Sequence, residues 1–364
     1  MMKKTILFVM PQLNMGGAER VITLIMNSID REIFDVKLIL FNSRGDLVET
    51  ILSDIEIYDL DIYSVSRGLI PLFRKIYQIK PNIVFSGIGH LNISIAPFIP
   101  IFRYIVPKIY WIARQSSILS LNNQKEKSPK LYEWLYKRVY KNYDKIICQS
   151  NYMQKDLIDR YLFPIEKSVV INNPVDIESI ERLSLAELEY PFDSNRFNLL
   201  SVGQLRPEKR QEHIIRAFAK LGEGYSLTLI GEGDSKERLE DLAYQLGISK
   251  FIRFIGYQAN PYSYMKRADI LVLSSEYEGF PNVVSEANIC GLGVISYKCA
   301  GGVAEIIKDG VNGLLVADGD IEALADGIKR AKKYRFDYSK IGKKYNKNLI
   351  INKYQKILKR ENTL

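Results

Sequence analysis

The order of elements, more than any single motif, limits what this chain can fold into. Short apolar runs alternate with helical patterns from one end to the other. "KTILFVM" leads through "PQLNMGG" into "AERVITLIMNSI", and "DVKLILFN", "NIVFSGI", "KIYWIA", "KIICQS" and "SVVINNPV" follow. Strands that are apolar throughout are buried on both faces, and the helices between them supply the cover. The expected class is therefore α/β, with doubly wound parallel sheets. Around Asp176 to Arg196 the pattern loosens and turns acidic, and a linker is expected there. The alternation then restarts with "FNLLSVGQ", "YSLTLIGEG", "FIRFIGY", "DILVLSS", "GVISYK" and "NGLLV". A chain of 364 residues is long for one core. Two Rossmann-like domains are expected, over 1–178 and 196–342. A basic C-terminal helix within 343–364 is expected to pack back across the domain junction.

Charge narrows the partners. Residues 62–145 hold 14 Lys/Arg against 3 Asp/Glu, and residues 329–360 hold 13 against 1. Residues 146–328 are acidic, with 18 against 27. The first basic block contains "KLYEWLYKRVYKNYDK", a basic stretch interleaved with aromatics of the kind that suits an anionic membrane surface. No nucleic-acid-binding motif accompanies the charge, so nucleic acid is not an expected partner. The apolar stretch Leu91 to Ala113 carries Arg103, Lys108 and three prolines. It reads as a buried helix followed by a buried strand rather than a membrane span. The "MMKKTILFVM" start reads as a first strand, not a signal peptide. Cys148, Cys290 and Cys299 show no paired spacing, which points to a reducing compartment. With His90 and His213 the only histidines, a histidine-rich metal site is excluded. "DLD" (59–61) and "DGD" (318–320) read as a strand end and a helix cap rather than metal ligands.

Several loops carry candidate chemistry. "EYEGFPNVVSEA" places Glu278 on a strand-to-helix loop and Glu286 inside the next helix, with Gly279, Phe280, Pro281 and Asn282 following Glu278. Pro281 suits the first turn of a helix, where no N–H is needed. Such a loop belongs at the carboxyl end of a parallel sheet, where ligands bind. "NMGGAER" sets Gly16 and Gly17 before the first helix, allowing close backbone approach and offering N–H groups to an anion. "VGQLRPEKR" puts Arg206, Lys209 and Arg210 at a strand-to-helix transition. A lysine in a first helical turn opposes the helix dipole, so Lys209 is expected to serve an anion such as a diphosphate. "LIGEG" is a lone Gly-x-Gly, and no Walker loop, H-E-x-x-H or G-x-S-x-G occurs.

In this order, "GGAER", "NNPVD", "VGQLRPEK", "LIGEG", "EGFPNVVSE", "GGVAEII" and "NGLLV" resemble the family 4 retaining glycosyltransferases of GT-B architecture. The resemblance covers nearly the whole chain, and its most specific part is the paired-Glu motif enclosing "GFP". It implies two Rossmann-like domains facing a central cleft. It implies that Glu286 bonds the nucleotide ribose, and that Glu278 with the backbone from Gly279 to Asn282 holds the donor sugar and phosphates. Lys209, aided by Arg206 and Arg210, would neutralise the diphosphate leaving group. Gly16 and Gly17 would approach the same diphosphate. No metal and no further cofactor are implied.

Two departures from the family pattern stand out. Gln204 occupies the place of a common arginine, with Arg206 or Arg210 as the candidate to compensate. Arg114 and Gln115 stand near where many relatives carry an acceptor-side histidine, and both are expected at the acceptor site. The expected activity is transfer of a sugar from a UDP-sugar, in preference to a GDP-sugar, to a lipid-linked (polyprenyl diphosphate) glycan. The setting would be polysaccharide or O-antigen assembly, in the cytoplasm at the inner face of the membrane. The rival readings are a GT-B nucleotide-sugar epimerase and a non-catalytic partner that anchors a transferase at the membrane.

Overall fold

The computed structural model describes residues 3–361. It contains two compact units, one of Met1–Pro174 with Asn348–Leu364, the other of Val175–Lys347. The first is built on strands β1 (Lys4–Met10), β2 (Phe34–Leu40), β3 (Glu56–Asp59), β4 (Ile83–Ser86), β5 (Tyr110–Gln115), β6 (Lys145–Cys148) and β7 (Ser168–Val170). They form a parallel sheet in the order β3-β2-β1-β4-β5-β6-β7. The second holds β8 (Phe197–Val202), β9 (Tyr225–Ile230), β10 (Ile252–Phe254), β11 (Ile270–Leu273), β12 (Tyr277–Glu278), β13 (Val294–Tyr297), β14 (Ala300–Gly301) and β15 (Gly313–Val316). Its main sheet runs β10-β9-β8-β11-β13-β15, again parallel, while β12 and β14 pair separately. The central strands are buried end to end, as the unbroken apolar runs require: Ile6 to Met10 in β1 and Ile270 to Leu273 in β11. In each sheet the winding reverses beside the first strand of the unit, between β1 and β4 and between β8 and β11. Clefts for ligands open at the carboxyl ends of strands at such switch points.

The segment 176–196, expected as a linker, is instead partly a helix of the second unit. Asp176 caps the helix Ile177–Ser184, accepting from the Ser179 N–H at 3.4 Å. Ile180 enters the core, and Asn260 Nδ2 and Arg267 Nη1 donate to the carbonyls of Leu183 and Ser184. The chain passes between units at Pro174–Val175 and returns at Lys347–Asn348. The two passages run side by side: Val175 N–H donates to Tyr345 O and Lys347 N–H to Val175 O.

The basic C-terminal stretch, read as one helix, breaks at extended Asn346 into Ser339–Tyr345 and Lys347–Lys359. The second of these belongs largely to the first unit and buries Ile350, Ile351, Tyr354, Ile357 and Leu358 in its core.

The "KLYEWLYKRVYKNYDK" stretch turns most of its tyrosines inward. Tyr136, Tyr140, Tyr143 and Tyr161 pack edge to face, leaving Leu131 and Trp134 outward. The stretch 91–113 does not form one helix. It divides into Gly89–Ile95, a 3-10 turn Ala96–Phe98, the helix Ile99–Ile105 and β5. Its middle, read as buried, lies on the surface: Phe98, Ile101, Tyr104 and Ile105 are exposed. Among the described residues no helix is long and apolar enough to cross a membrane.

Candidate functional site

In the second unit the loops after β8 and β11 leave adjacent strands at the switch point. The first carries Lys209 at the end of a 3-10 turn, Pro207–Lys209. The α-helix itself starts only at Gln211, so Lys209 precedes the helical turn in which it was expected. Arg210 joins the two in the left-handed region, at φ 47°. The second loop carries Ser274 and Ser275, then Glu278 in β12.

These loops are sewn together. Ser274 Oγ donates to the carbonyls of Lys209 and Arg210, at 2.7 and 2.8 Å, and Glu276 N–H donates to Glu208 O at 2.8 Å. Lys209 Nζ then meets Glu278 Oε1 at 2.6 Å, and Ser275 Oγ donates to the same oxygen at 2.6 Å. The Glu278 side chain is 12% exposed and Lys209 28%, so their attraction is weakly screened. Glu278 is held from the far side as well, since its carbonyl accepts from Gly302 N–H. The result is a fixed carboxylate with one oxygen committed, beside an ammonium that retains donors for another anion.

The remaining candidates of this unit sit around that pair. Arg210 contacts Asp318 at 3.2 Å and Glu276 at 3.4 Å, which holds it to protein carboxylates. Arg206 is exposed and makes no ion pair among the described residues. The Gln204 side chain is exposed, while its carbonyl accepts from Gln211 Nε2 at 2.9 Å. Pro281, expected inside the first turn, stands one place earlier as the cap of the helix Asn282–Ile289. It has no N–H, so the amides this loop can offer are those of Gly279, Phe280 and Asn282. Phe280 is buried edge to face against Tyr345 and anchors the loop. Glu286 lies one helical turn in, half-buried, and accepts from Tyr262 Oη at 3.4 Å. The glycine of "LIGEG" has a packing reason: a Cβ on Gly231 (φ +142°) would stand 1.9 Å from the Gly203 carbonyl oxygen.

In the first unit Gly16 caps the helix Gly17–Ser28 after β1, at that sheet's own switch point. A Cβ on Gly16 would stand 2.2 Å from Glu19 Oε2, so the Glu19 carboxylate folds back over the cap. Arg114 and Gln115, expected to touch an acceptor, are interior groups. Arg114 is fully buried, donating to Asn173 Oδ1 at 2.5 Å and Tyr354 Oη at 3.2 Å. It thereby ties the last helix to the end of the first sheet. Gln115 accepts from Tyr140 Oη and donates to Ser117 O, both at 3.0 Å. Neither side chain presents surface to a ligand, since Arg114 is fully buried and Gln115 almost so.

The profile described as "Glycosyl transferases group 1" matches residues 188–355, and that described as "Glycosyltransferase Family 4" matches residues 15–179. Together they span nearly the whole chain. The chain belongs to glycosyltransferase family 4. A Campylobacter jejuni N-acetylgalactosamine-N,N'-diacetylbacillosaminyl-diphospho-undecaprenol 4-alpha-N-acetylgalactosaminyltransferase is 26% identical over 325 residues, 87% of either chain. An uncharacterized glycosyltransferase of Methanocaldococcus jannaschii is 29% identical over 263 residues, which are 69% of this chain and 64% of that one. Other relatives of this family 4 chain include glycosyltransferases of lipopolysaccharide assembly. Its fold is GT-B. Anabaena HepE, solved in complex with UDP and glucose, superimposes with a TM-score of 0.79 at 22% identity, covering 98% of this chain and 100% of that one.

Sequence reasoning missed Ser274, Ser275 and Tyr262. The adjacent serines closing an apolar strand were the available signal, since polar residues ending a buried strand at a switch point have a partner to find.

Proposed function

We propose that this family 4 glycosyltransferase moves a sugar from a UDP-sugar to a glycan acceptor on a lipid carrier, with retention of configuration. The observation that carries the reading is the Lys209–Glu278 pair, pinned by Ser275 at the switch point with Glu286 one helix away. In this reading Glu286 accepts from the ribose hydroxyls. Glu278 accepts from the sugar through its second oxygen, and Lys209 neutralises the departing diphosphate. Arg206, exposed beside them, is the candidate to do the work of the residue replaced by Gln204. The bond from the anomeric carbon to the diphosphate oxygen breaks as the acceptor oxygen attacks from the same face. The acceptor proton passes to that phosphate oxygen, so no protein base is needed. With Lys209 in that role the reaction is expected to survive chelation. The UDP in the HepE complex and the diphospho-undecaprenol in the name of the C. jejuni relative support the donor and acceptor classes. The enzyme would work in the cytoplasm at the inner face of the membrane.

The test is incubation of UDP-sugars with lipid-linked glycan and EDTA, read by product mass and by the anomeric coupling of the new linkage. Glu286→Ala is expected to abolish both transfer and UDP binding. An inverted linkage would refute retention. Sugar released without any acceptor would favour the epimerase. Absence of UDP binding to the wild-type protein would refute the enzyme reading.

A further inference from the structure

We propose that the surface made by the helices Val65–Ile79 and Ile99–Ile105 of the first unit is a docking face for an anionic lipid bilayer.

The helix Ile99–Ile105 is apolar nearly all round, a composition that ordinarily means burial on every side. Here only one side is covered. Ile99 and Phe102 enter the core, while Phe98, Ile101, Tyr104 and Ile105 point outward, with Tyr104 96% and Ile101 60% exposed. The single charge of this helix, Arg103, turns sideways to Asn142 O and Asp144. The neighbouring helix continues the face. The Phe73 ring packs at a tilt against Phe98 at 5.3 Å and Phe102 at 4.9 Å. Ile70 and Tyr77 stand three and four positions either side of Phe73 and share its side of that helix. Both are exposed, Ile70 at 82%. Scattered apolar side chains on a surface need no explanation, but a contiguous group across two packed helices does.

Charge selects the occupant. Arg67, Arg74, Lys80 and Lys108 are exposed on these elements, and no acid occurs in the sequence between Asp61 and Glu126. Apolar side chains flanked by these exposed cations match the acyl boundary and the phosphates of an anionic leaflet. A second copy of the chain would set the same cations against one another. Tyr104 has the apolar ring and polar tip that favour the headgroup level. The proposal gives the lipid-linked acceptor reading a membrane contact and rests on that reading for its purpose, while bilayer binding itself is measured without any transfer.

The experiment is co-sedimentation of the full chain with vesicles of phosphatidylglycerol and phosphatidylcholine, beside vesicles of phosphatidylcholine alone. The wild type is expected to partition at least tenfold better to the anionic vesicles, and less well in 1 M salt. Ile101→Ser with Tyr104→Ser is expected to lower that partition about tenfold, with UDP affinity and melting temperature unchanged. Glu286→Ala, in contrast, is expected to keep vesicle binding and lose UDP, so failure of the catalytic reading remains separate. Vesicle binding unaffected by the double substitution overturns the proposal. So does equal binding to neutral vesicles. So does a dimer, seen by sedimentation velocity, that this substitution converts to a monomer while vesicle binding persists.

Discussion

Replacing Glu278 by Gln should tighten the hold on UDP while slowing sugar transfer. Lys209 Nζ rests on Glu278 Oε1 at 2.6 Å, and the same oxygen accepts from Ser275. A diphosphate that recruits Lys209 must share it with this carboxylate and tolerate the negative charge beside it. A hydrogen bond to a charged partner contributes about 1.5–3 kcal/mol net. A neutral amide oxygen in the same place retains roughly half of that. The remainder, about 0.75–1.5 kcal/mol, no longer opposes nucleotide binding, and about 1.4 kcal/mol is tenfold in Kd. Both side chains are less than a third exposed, so solvent screening does not erase the effect. Titration calorimetry with UDP, which has no sugar to lose contact with, isolates it. Glu278→Gln is expected to bind UDP about four- to tenfold more tightly, with the gain shrinking as salt rises. Turnover of the UDP-sugar should fall, because the amide presents a weaker acceptor to the sugar. Equal or weaker UDP binding by Glu278→Gln would refute the idea that this carboxylate competes for the lysine.

Two further outcomes test the fold. Leu162 ends the helix Asn151–Tyr161 in the left-handed region at φ 54° and is 78% exposed. Leu162→Gly removes the Cβ penalty at little loss of packing and should stabilise the first unit by about 1 kcal/mol, seen as a higher calorimetric transition; an unchanged or lower one contradicts this. Burial pushes the thiols of Cys148, Cys290 and Cys299 up to about 12. Thiolate is the reactive form, so Ellman's reagent at pH 8 should find almost no thiol in the native protein and three in urea. Rapid reaction of any one before unfolding would show that it is not enclosed.

The layered α/β architecture was legible because β1 from Ile6 to Met10 and β11 are apolar without interruption and only a doubly covered parallel sheet buries such strands. Lys209, Glu278 and Glu286 stood out by their loop context. Their partnership did not, because Lys209 and Glu278 lie 69 residues apart in sequence and meet only through the adjacency of β8 and β11. Arg114 misled because it stands near where many relatives carry an acceptor-side histidine, whereas its partners, Asn173 and the remote Tyr354, make it internal. The surface of Ile101 and Tyr104 misled in the opposite direction: apolar composition reports what a residue would prefer, not whether the fold supplies a neighbour to cover it. The helix at 177–184 escaped notice because its burial comes through a few positions, chiefly Ile180, amid acidic residues.

Tyr354 and the isoleucines around it complete the core of the unit whose sheet begins at Lys4. On the ribosome, then, the strands of this unit emerge before the second unit, and the helix that closes their core emerges after it. The seven strands must wait, with one flank uncovered, until the final helix emerges. Stalled or prematurely ended translation would leave a sheet with greasy side chains bare, a species inclined to aggregate and a ready client for chaperones.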